Sequence, residues 1–213
     1  MTDTRQLFAT PFIIDRLQSE AGIAMLRDAV DAEMMRDRQG VSISNIGGWH
    51  SNTNMLDWGG EAAKALVFKA MTMADEASVD IKSPDASRFG WHPELWANVS
   101  HKGDANQYHT HPGSYWSAVA YIDDGYEGEE DPQLGGELQL LDPRSPMVQM
   151  AAPDLRMKGA DGGPQSHEIS IRPQTGMIVM FPSWLQHAVR PFKGQGTRIS
   201  IAINLSAGLK KPH

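Results

Sequence analysis

The sequence predicts a mainly β protein, an antiparallel sandwich or jelly roll, with α-helices preceding the sheets. After Arg88 the chain holds short segments rich in aromatic and β-branched residues, separated by turn residues and with no helix-length segment between them. Before Arg88, apolar residues recur at the spacing of an amphipathic helix. The length of 213 residues suits one domain, with a helical layer over residues 1–88 and a β core over residues 89–207.

Two helices are predicted in the first part of the chain. The first spans Ala21 to Arg38, with Ser19 as a candidate N-cap and Gly40 as a candidate stop. The second spans Gly60 to Ala77. The segment between them is rich in Gly, Ser and Asn, which predicts a loop with at most a short strand. We expect both helices to pack against one face of a sheet.

Seven strands are predicted in the second part, in the segments ELWANVS, SYWSAVAYI, GGELQLL, HEISIRP, GMIVMFP, HAVRPF and TRISIAINL. The turn KGQG joins the last two and predicts a hairpin. An insertion from Asp142 to Ser166 contains Gly and Pro and separates the third strand from the fourth. Loops of this length are uncommon unless they are functional or disordered, so we expect either a lid over the mouth of the jelly roll or a disordered segment.

The composition excludes several classes of protein. The formal charge is -7, from 26 acidic and 19 basic residues with no basic cluster, so we expect neither nucleic-acid binding nor membrane binding. The chain has no cysteine, which excludes disulfides and thiolate metal sites and leaves His and oxygen ligands for any metal. No signal-peptide pattern and no membrane-length apolar run is present, so we expect a cytoplasmic protein, and a homodimer is compatible with the sequence.

Three histidines form the candidate metal site. If the segment around His109 and His111 is extended, both imidazoles project to the same face, because side chains alternate along a strand. An H-x-H pair alone is weak support for a metal. His187 follows an apolar strand and a proline at the start of the next strand, and it can supply the third ligand of a facial site.

An arginine on the last predicted strand suggests an acidic ligand near this metal. If KGQG closes a hairpin in which Phe192 pairs with Thr197, then His187, Arg198 and Ser200 share one face of the sheet. A guanidinium binds a carboxylate through two parallel hydrogen bonds, so a diacid could contact both the metal and Arg198. A register shift of one residue would reverse this conclusion.

The segments HTHPGSYWSAVAYI, GGELQLLDPR, FPSWLQHAVRPF and TRISIAIN together resemble the Fe(II)/2-oxoglutarate dioxygenase superfamily. They look most like its bacterial and phage group with H-x-H-P and F-P-S-W-L-x-H motifs, and more loosely like the prolyl hydroxylases. The resemblance implies a double-stranded β-helix, a cupin-like jelly roll, with iron on His109 and His187. It also implies that Arg198 binds the distal carboxylate of 2-oxoglutarate and that Ser200 supports it. The usual carboxylate ligand of the superfamily is replaced here by His111.

Other residues are weaker candidates for the site. Asn98 and Tyr108 lie on or beside the strand that leads into the histidine pair, and we expect them to contact the cosubstrate. Trp184 is expected to line the mouth, whereas Tyr121 has the parity of a core residue. We expect His50 and His101 to be surface residues.

The leading hypothesis is a dioxygenase that uses Fe(II), 2-oxoglutarate and O2 to hydroxylate a small-molecule or peptide substrate, with release of succinate and CO2. A second hypothesis is a three-histidine cupin-like metalloenzyme, oxygenase or isomerase, that does not use 2-oxoglutarate. A third is a non-catalytic binding or sensing jelly roll. Iron content and affinity for 2-oxoglutarate discriminate among them.

Overall fold

The structure is a computed structural model that describes residues 7–146, 152 and 154–210. Its helices are α1 (Glu20–Arg36), α2 (Met55–Trp58) and α3 (Gly60–Glu76), with a 3-10 turn at Pro132–Leu134. Its strands are β1 (Ile13–Arg16), β2 (Asn45–Ile46), β3 (Trp49–His50), β4 (Phe89–Ser100), β5 (Ala105–His109), β6 (Trp116–Asp123), β7 (Leu138–Leu141), β8 (Glu168–Ile171), β9 (Met177–Pro182), β10 (His187–Val189) and β11 (Arg198–Leu209).

These strands form two antiparallel sheets, which confirms the predicted mainly β sandwich. The larger sheet has the order β1-β9-β6-β11-β4-β3, and the smaller has the order β2-β5-β10-β7-β8. Each of the seven predicted segments contains a strand. The strands β1 and β5 were not assigned from the sequence, and the loop after α1 holds β2, β3 and α2, because such short and polar segments carry little periodicity.

The helices pack on the outer face of the larger sheet, as predicted. Ser19 caps α1 by accepting a hydrogen bond from the Gly22 backbone N–H at 2.9 Å, and the helix ends at Arg36, before the expected stop at Gly40. Buried apolar residues of α1 and α3 form one core with the outward-facing residues of the sheet, including Leu26, Val30, Leu66, Ala70, Leu95, Val99, Ile199, Ile201 and Ile203. In the part of the chain described, no helix has the length and apolar character needed to cross a membrane.

Alternation along β11 decides what faces the interior of the sandwich. Because Ile199, Ile201 and Ile203 belong to the core under the helices, Arg198 and Ser200 project to the opposite face, toward the smaller sheet. Between the sheets a second apolar cluster fills part of the interior, with members Tyr121, Leu138, Leu140, Val179, Phe181 and Leu185. The remaining interior is polar and contains the histidines.

The predicted hairpin between the last two strands is wrong. β10 pairs with β5 and β7 in the smaller sheet, whereas β11 pairs with β4 and β6 in the larger one. The segment between them crosses from sheet to sheet, and its backbone bonds elsewhere. Phe192 donates its N–H to the Asp104 carbonyl at 2.9 Å and accepts from the Gly103 N–H at 2.7 Å. The predicted proximity of His187 and Arg198 nevertheless holds, because the two residues line the same cavity from opposite sheets.

The insertion expected to form a lid lies partly outside the described residues, which omit 147–151 and 153. In its described part, the insertion carries an isolated bridge between Lys158 and Pro164. Asp142, Arg144 and Ser166 line an apolar cavity beside β7 and β8, and no described residue of the insertion lines the cavity at the histidines. The described residues of the insertion therefore do not cover the cavity at the histidines.

Candidate metal centre and cosubstrate cavity

The three predicted ligands lie together between the sheets. His109 ends β5 and His187 begins β10, and the two are directly paired across the strands. His111 follows in a turn that is fixed by a hydrogen bond from its backbone N–H to the Ser183 carbonyl at 3.0 Å. One nitrogen from each ring can be chosen so that all three lie within 4.8 Å of one another. The sequence predicted this set, although His111 lies beyond the strand rather than on it.

Backbone carbonyls fix the tautomers of two of these rings. The Nδ1 atom of His109 lies 2.7 Å from the Gln107 carbonyl oxygen, and Nδ1 of His187 lies 2.8 Å from the Leu185 carbonyl oxygen. A carbonyl oxygen only accepts, so each Nδ1 must carry the proton and donate it. The Nε2 lone pairs of both rings are then free for a metal, which is the usual arrangement of ligating histidines.

The separation of the rings is compatible with a shared ion. Nε2 of His111 lies 3.2 Å from Nε2 of His187. Two nitrogen ligands at right angles on one metal, each about 2.1 Å from it, would lie about 3.0 Å apart. The three rings therefore fit a facial set of nitrogen donors on one ion.

Burial keeps these rings in the neutral form that a metal requires. Desolvation, followed by the proximity of His109, lowers the pKa of His187 to about 3 and that of His111 to about 4. Desolvation also lowers the pKa of His109. At neutral pH all three rings therefore hold an unprotonated nitrogen, and binding a cation does not require displacing a proton.

The metal-free protein is expected to lose stability as the pH falls below about 6.5. A histidine whose pKa is lowered by folding contributes its full stability above its unfolded pKa of about 6.5, and loses it as the pH falls through the folded value. For His187 and His111 the loss extends toward the folded values of about 3 and about 4. Between pH 7 and pH 5 we expect the free energy of unfolding to fall by about 2 kcal/mol or more.

Urea denaturation of the metal-free protein at the two pH values measures this loss. His187→Asn should reduce the dependence on pH, while His101→Asn, at an exposed position, should leave it intact. Equal stability at pH 7 and pH 5 would contradict the burial of neutral imidazoles.

A small cavity of about 50 Å³ extends from the histidines toward Arg198. The Arg198 side chain is 2% exposed and its Nη1 donates to Ser200 Oγ at 3.3 Å. Its guanidinium carbon lies 5.3 Å from the centre of the Tyr121 ring. Among the described residues no carboxylate lies within salt-bridge distance of Arg198, and both Arg198 Nε and the Tyr121 hydroxyl are buried without a hydrogen-bond partner.

This arrangement fits a bound anion. A buried cation without a counter-charge is costly, and buried donors without partners are rare in proteins. A carboxylate beside Arg198 would neutralise the guanidinium and could accept from the Tyr121 hydroxyl. A cavity of about 50 Å³ suits the narrow end of a dicarboxylate better than a bulky substrate.

Other predicted residues have mixed outcomes. Asn98 lines this cavity. Tyr108 does not line it; its hydroxyl donates to the Glu168 carboxylate at 2.5 Å, and burial with this hydrogen bond raises its pKa to about 12. Trp184 is 54% exposed and lies outside both the cavity and the pocket next to it. Tyr108 instead lines the pocket next to the cavity, beside His109, so the cosubstrate contact expected for Tyr108 and the place at the mouth expected for Trp184 stay predictions.

The expectation that His50 is a surface residue is wrong, whereas His101 is exposed as expected. His50 is 3% exposed and stacks on Trp96 at 5.7 Å, and Trp96 packs on His111 at 5.6 Å. The sequence also missed Asn106 and Asn204 as lining residues. Tyr121 also lines the cavity, and here the sequence held an indication, because Tyr121 has the same strand parity as Ser117 and Val119.

Residues 94–204 match the model of a protein family described as "Putative 2OG-Fe(II) oxygenase". The chain belongs to this family of 2-oxoglutarate- and iron(II)-dependent oxygenases. It is therefore an oxidoreductase whose cofactors are Fe(II) and 2-oxoglutarate, as the leading hypothesis predicted. The two alternatives, a cupin-like enzyme without 2-oxoglutarate and a non-catalytic jelly roll, are not supported by this membership. No curated protein matches the chain.

Solved structures of other 2-oxoglutarate oxygenases share the fold of this oxygenase. A prolyl-4-hydroxylase from Pseudomonas putida has a TM-score of 0.59 at 17% identity, with 94% of each chain covered. A prolyl hydroxylase from Trichoplax adhaerens, in complex with a hypoxia inducible factor peptide fragment, has a TM-score of 0.65 at 14% identity, with 94% of this chain and 86% of that chain covered. HygX from Streptomyces hygroscopicus, with nickel and 2-oxoglutarate bound, has a TM-score of 0.56 at 12% identity, covering 92% and 83%. The predicted double-stranded β-helix is thereby confirmed.

Proposed function

We propose that this oxygenase hydroxylates a small-molecule or peptide substrate, with conversion of 2-oxoglutarate and O2 to succinate and CO2. The observation that carries the proposal is the buried Arg198, which has no carboxylate partner among the described residues and faces a cavity shared with three histidines. Bound Fe(II) and 2-oxoglutarate supply the oxidising chemistry, and the protein supplies binding, orientation and exclusion of water.

The residues divide this work between the two ends of the cavity. His109, His111 and His187 would hold the iron, with the tautomers of His109 and His187 set by backbone carbonyls. At the other end Arg198, whose Nη1 donates to the Ser200 hydroxyl, would bind the distal carboxylate of 2-oxoglutarate. Asn98 and the Tyr121 hydroxyl add polar groups along the wall of the cavity.

His111 gives the proposed centre an unusual charge. Three neutral imidazoles carry one negative charge less than two imidazoles and a carboxylate, so the protein offsets less of the charge of Fe(II). In the described part of the chain, no carboxylate joins the three rings as a fourth member of the group. We therefore propose a three-histidine centre, in which 2-oxoglutarate itself supplies the negative charge that balances the metal.

The proposed reaction is tested by succinate formation. We expect purified protein with Fe(II), 2-oxoglutarate and O2 to form succinate slowly without a primary substrate, since 2-oxoglutarate can be turned over without hydroxylation. Chromatography of the products measures succinate, and omission of Fe(II) is the first control. The His101→Asn variant, changed at an exposed histidine, is the matched protein control and should behave like the wild type. If the wild type neither forms succinate nor binds 2-oxoglutarate, the proposal is wrong.

A further inference from the structure

A second pocket, of about 320 Å³, opens on the other side of the histidines. It shares His109, His111, Trp96, Asn204 and Ser44 with the inner cavity, so the two spaces meet at the metal centre. We call this space the outer pocket. Under the proposed function the inner cavity is filled by 2-oxoglutarate, and the outer pocket is then the larger space left for the group to be oxidised.

The charged side chain that lines the outer pocket is negative. Glu94 contributes the one carboxylate among its described lining residues, and none of these residues is a lysine or arginine. The described residues also place no lysine or arginine within salt-bridge distance of Glu94. An anionic ligand would therefore be repelled here, and a cationic one attracted.

The register of the paired strands β11 and β4 places the opposite charges of Arg198 and Glu94 at opposite ends of one axis. Arg198 pairs with Ser100 and Asn204 pairs with Glu94 across β11 and β4. Six residues separate these two pairs, a distance of about 20 Å along the strands. Trp96, which packs on His111, lies two residues from Glu94 on β4, so the Cα atoms of Trp96 and Glu94 are about 7 Å apart along the strand.

We propose that the outer pocket binds a primary substrate through an ammonium or guanidinium group, with Glu94 as the residue that selects it. The inner end of the axis then binds the anionic cosubstrate on Arg198, and the outer end binds the cationic substrate on Glu94. The carbon to be oxidised lies between them. Ile43 and Trp96 provide apolar walls for an aliphatic stem, and Gln107 offers a further polar contact.

The exposure of Glu94 determines how much its carboxylate can contribute to substrate affinity. Exposed ion pairs contribute little, but a carboxylate covered by a bound ligand makes charge-assisted hydrogen bonds in a drier environment. The same carboxylate repels anionic competitors. We therefore expect Glu94 to act on substrate affinity and on selection between charged and neutral molecules.

Calorimetry on the anaerobic protein loaded with Fe(II) and 2-oxoglutarate tests the proposal. The probes are N-acetyl-L-arginine amide and the neutral isostere N-acetyl-L-citrulline amide, with spermidine as a free polyamine. We expect the arginine probe to bind at least about ten-fold more tightly than the citrulline probe. Glu94→Gln should reduce this preference to about two-fold or less, and Glu130→Gln, an exposed residue of the acidic loop, should preserve it.

Once the arginine probe is preferred over the citrulline probe, tighter binding of arginine than of spermidine would indicate a peptide side chain, and the reverse would indicate a free amine; either then supports a cationic substrate. Equal binding of the arginine and citrulline probes, or an unchanged preference in Glu94→Gln, would overturn the inference. Because it rests on the proposed function, 2-oxoglutarate affinity is measured first on the same preparation. Failure of 2-oxoglutarate to bind would overturn both proposals, whereas failure of the probes alone would overturn only this one.

Discussion

Replacing His187 by alanine is expected to abolish stoichiometric iron binding and succinate formation. His187 is 4% exposed, its Nδ1 donates to a backbone carbonyl, and its Nε2 is directed toward the other two rings. Its loss leaves two imidazoles that cannot form a facial set, and the remaining protein ligands are neutral. We expect His109→Ala to have the same effect. Metal analysis after anaerobic loading and desalting measures the iron retained.

Two comparisons separate loss of a ligand from loss of the fold. Circular dichroism and thermal unfolding should show that the variants fold without metal. His50→Ala removes a histidine that stacks on Trp96 but is not one of the three clustered rings, and it should retain iron. Stoichiometric iron in both His109→Ala and His187→Ala would rule out the proposed centre.

Replacing Arg198 by alanine is expected to weaken 2-oxoglutarate binding by at least ten-fold and to leave iron occupancy nearly intact. Loss of one partner from a desolvated charged pair typically costs about 2–5 kcal/mol, or about thirty-fold to several thousand-fold in affinity. A guanidinium has no lone pair to offer a metal, so the iron itself should be retained. Calorimetry on the anaerobic Fe(II) protein measures the affinity for 2-oxoglutarate.

Three further variants test the role of Arg198 in 2-oxoglutarate binding. Arg198→Lys should recover only part of the affinity, because the charge returns without the planar pair of donors. Ser200→Ala should cause a smaller loss in the same direction, since its hydroxyl contacts Arg198 Nη1. The exposed Arg144, which pairs with Asp142, provides a control in Arg144→Ala. Undiminished 2-oxoglutarate binding by Arg198→Ala would refute the assigned role.

Much of the fold was predictable from the sequence, because short apolar segments separated by turn residues usually form the strands of an antiparallel sheet. The histidines were predictable for a similar reason, since H-x-H and a distal histidine are local patterns. The pairing of β10 and β11 was not predictable, because a four-residue turn between two strands looks the same whether it closes a hairpin or joins two sheets. The distinction depends on Phe192, whose backbone bonds to Gly103 and Asp104, far away in the sequence.

Residues that line the cavity or the outer pocket from unassigned elements were also missed. His50 precedes no apolar strand and has no partner in sequence, and only the pairing of β3 with β4 buries it against Trp96. Asn106 lies on β5, a strand too short and polar to be recognised by its pattern. Burial of a polar residue depends on tertiary packing. In this sequence it could be predicted only for polar residues that belong to a recognised motif.

The crossover between β10 and β11 bears on which 2-oxo acids the enzyme can accept. His187 and Arg198 belong to different sheets, and the chain between them is tied to Gly103 and Asp104. The span between these two anchors is thus set by the packing of the sandwich and cannot adjust by sliding of a shared ladder. With 2-oxoglutarate bound as proposed, a diacid one carbon shorter or longer would reach only one of these two anchors. We therefore expect the architecture that joins the sheets to discriminate among cosubstrates by chain length as well.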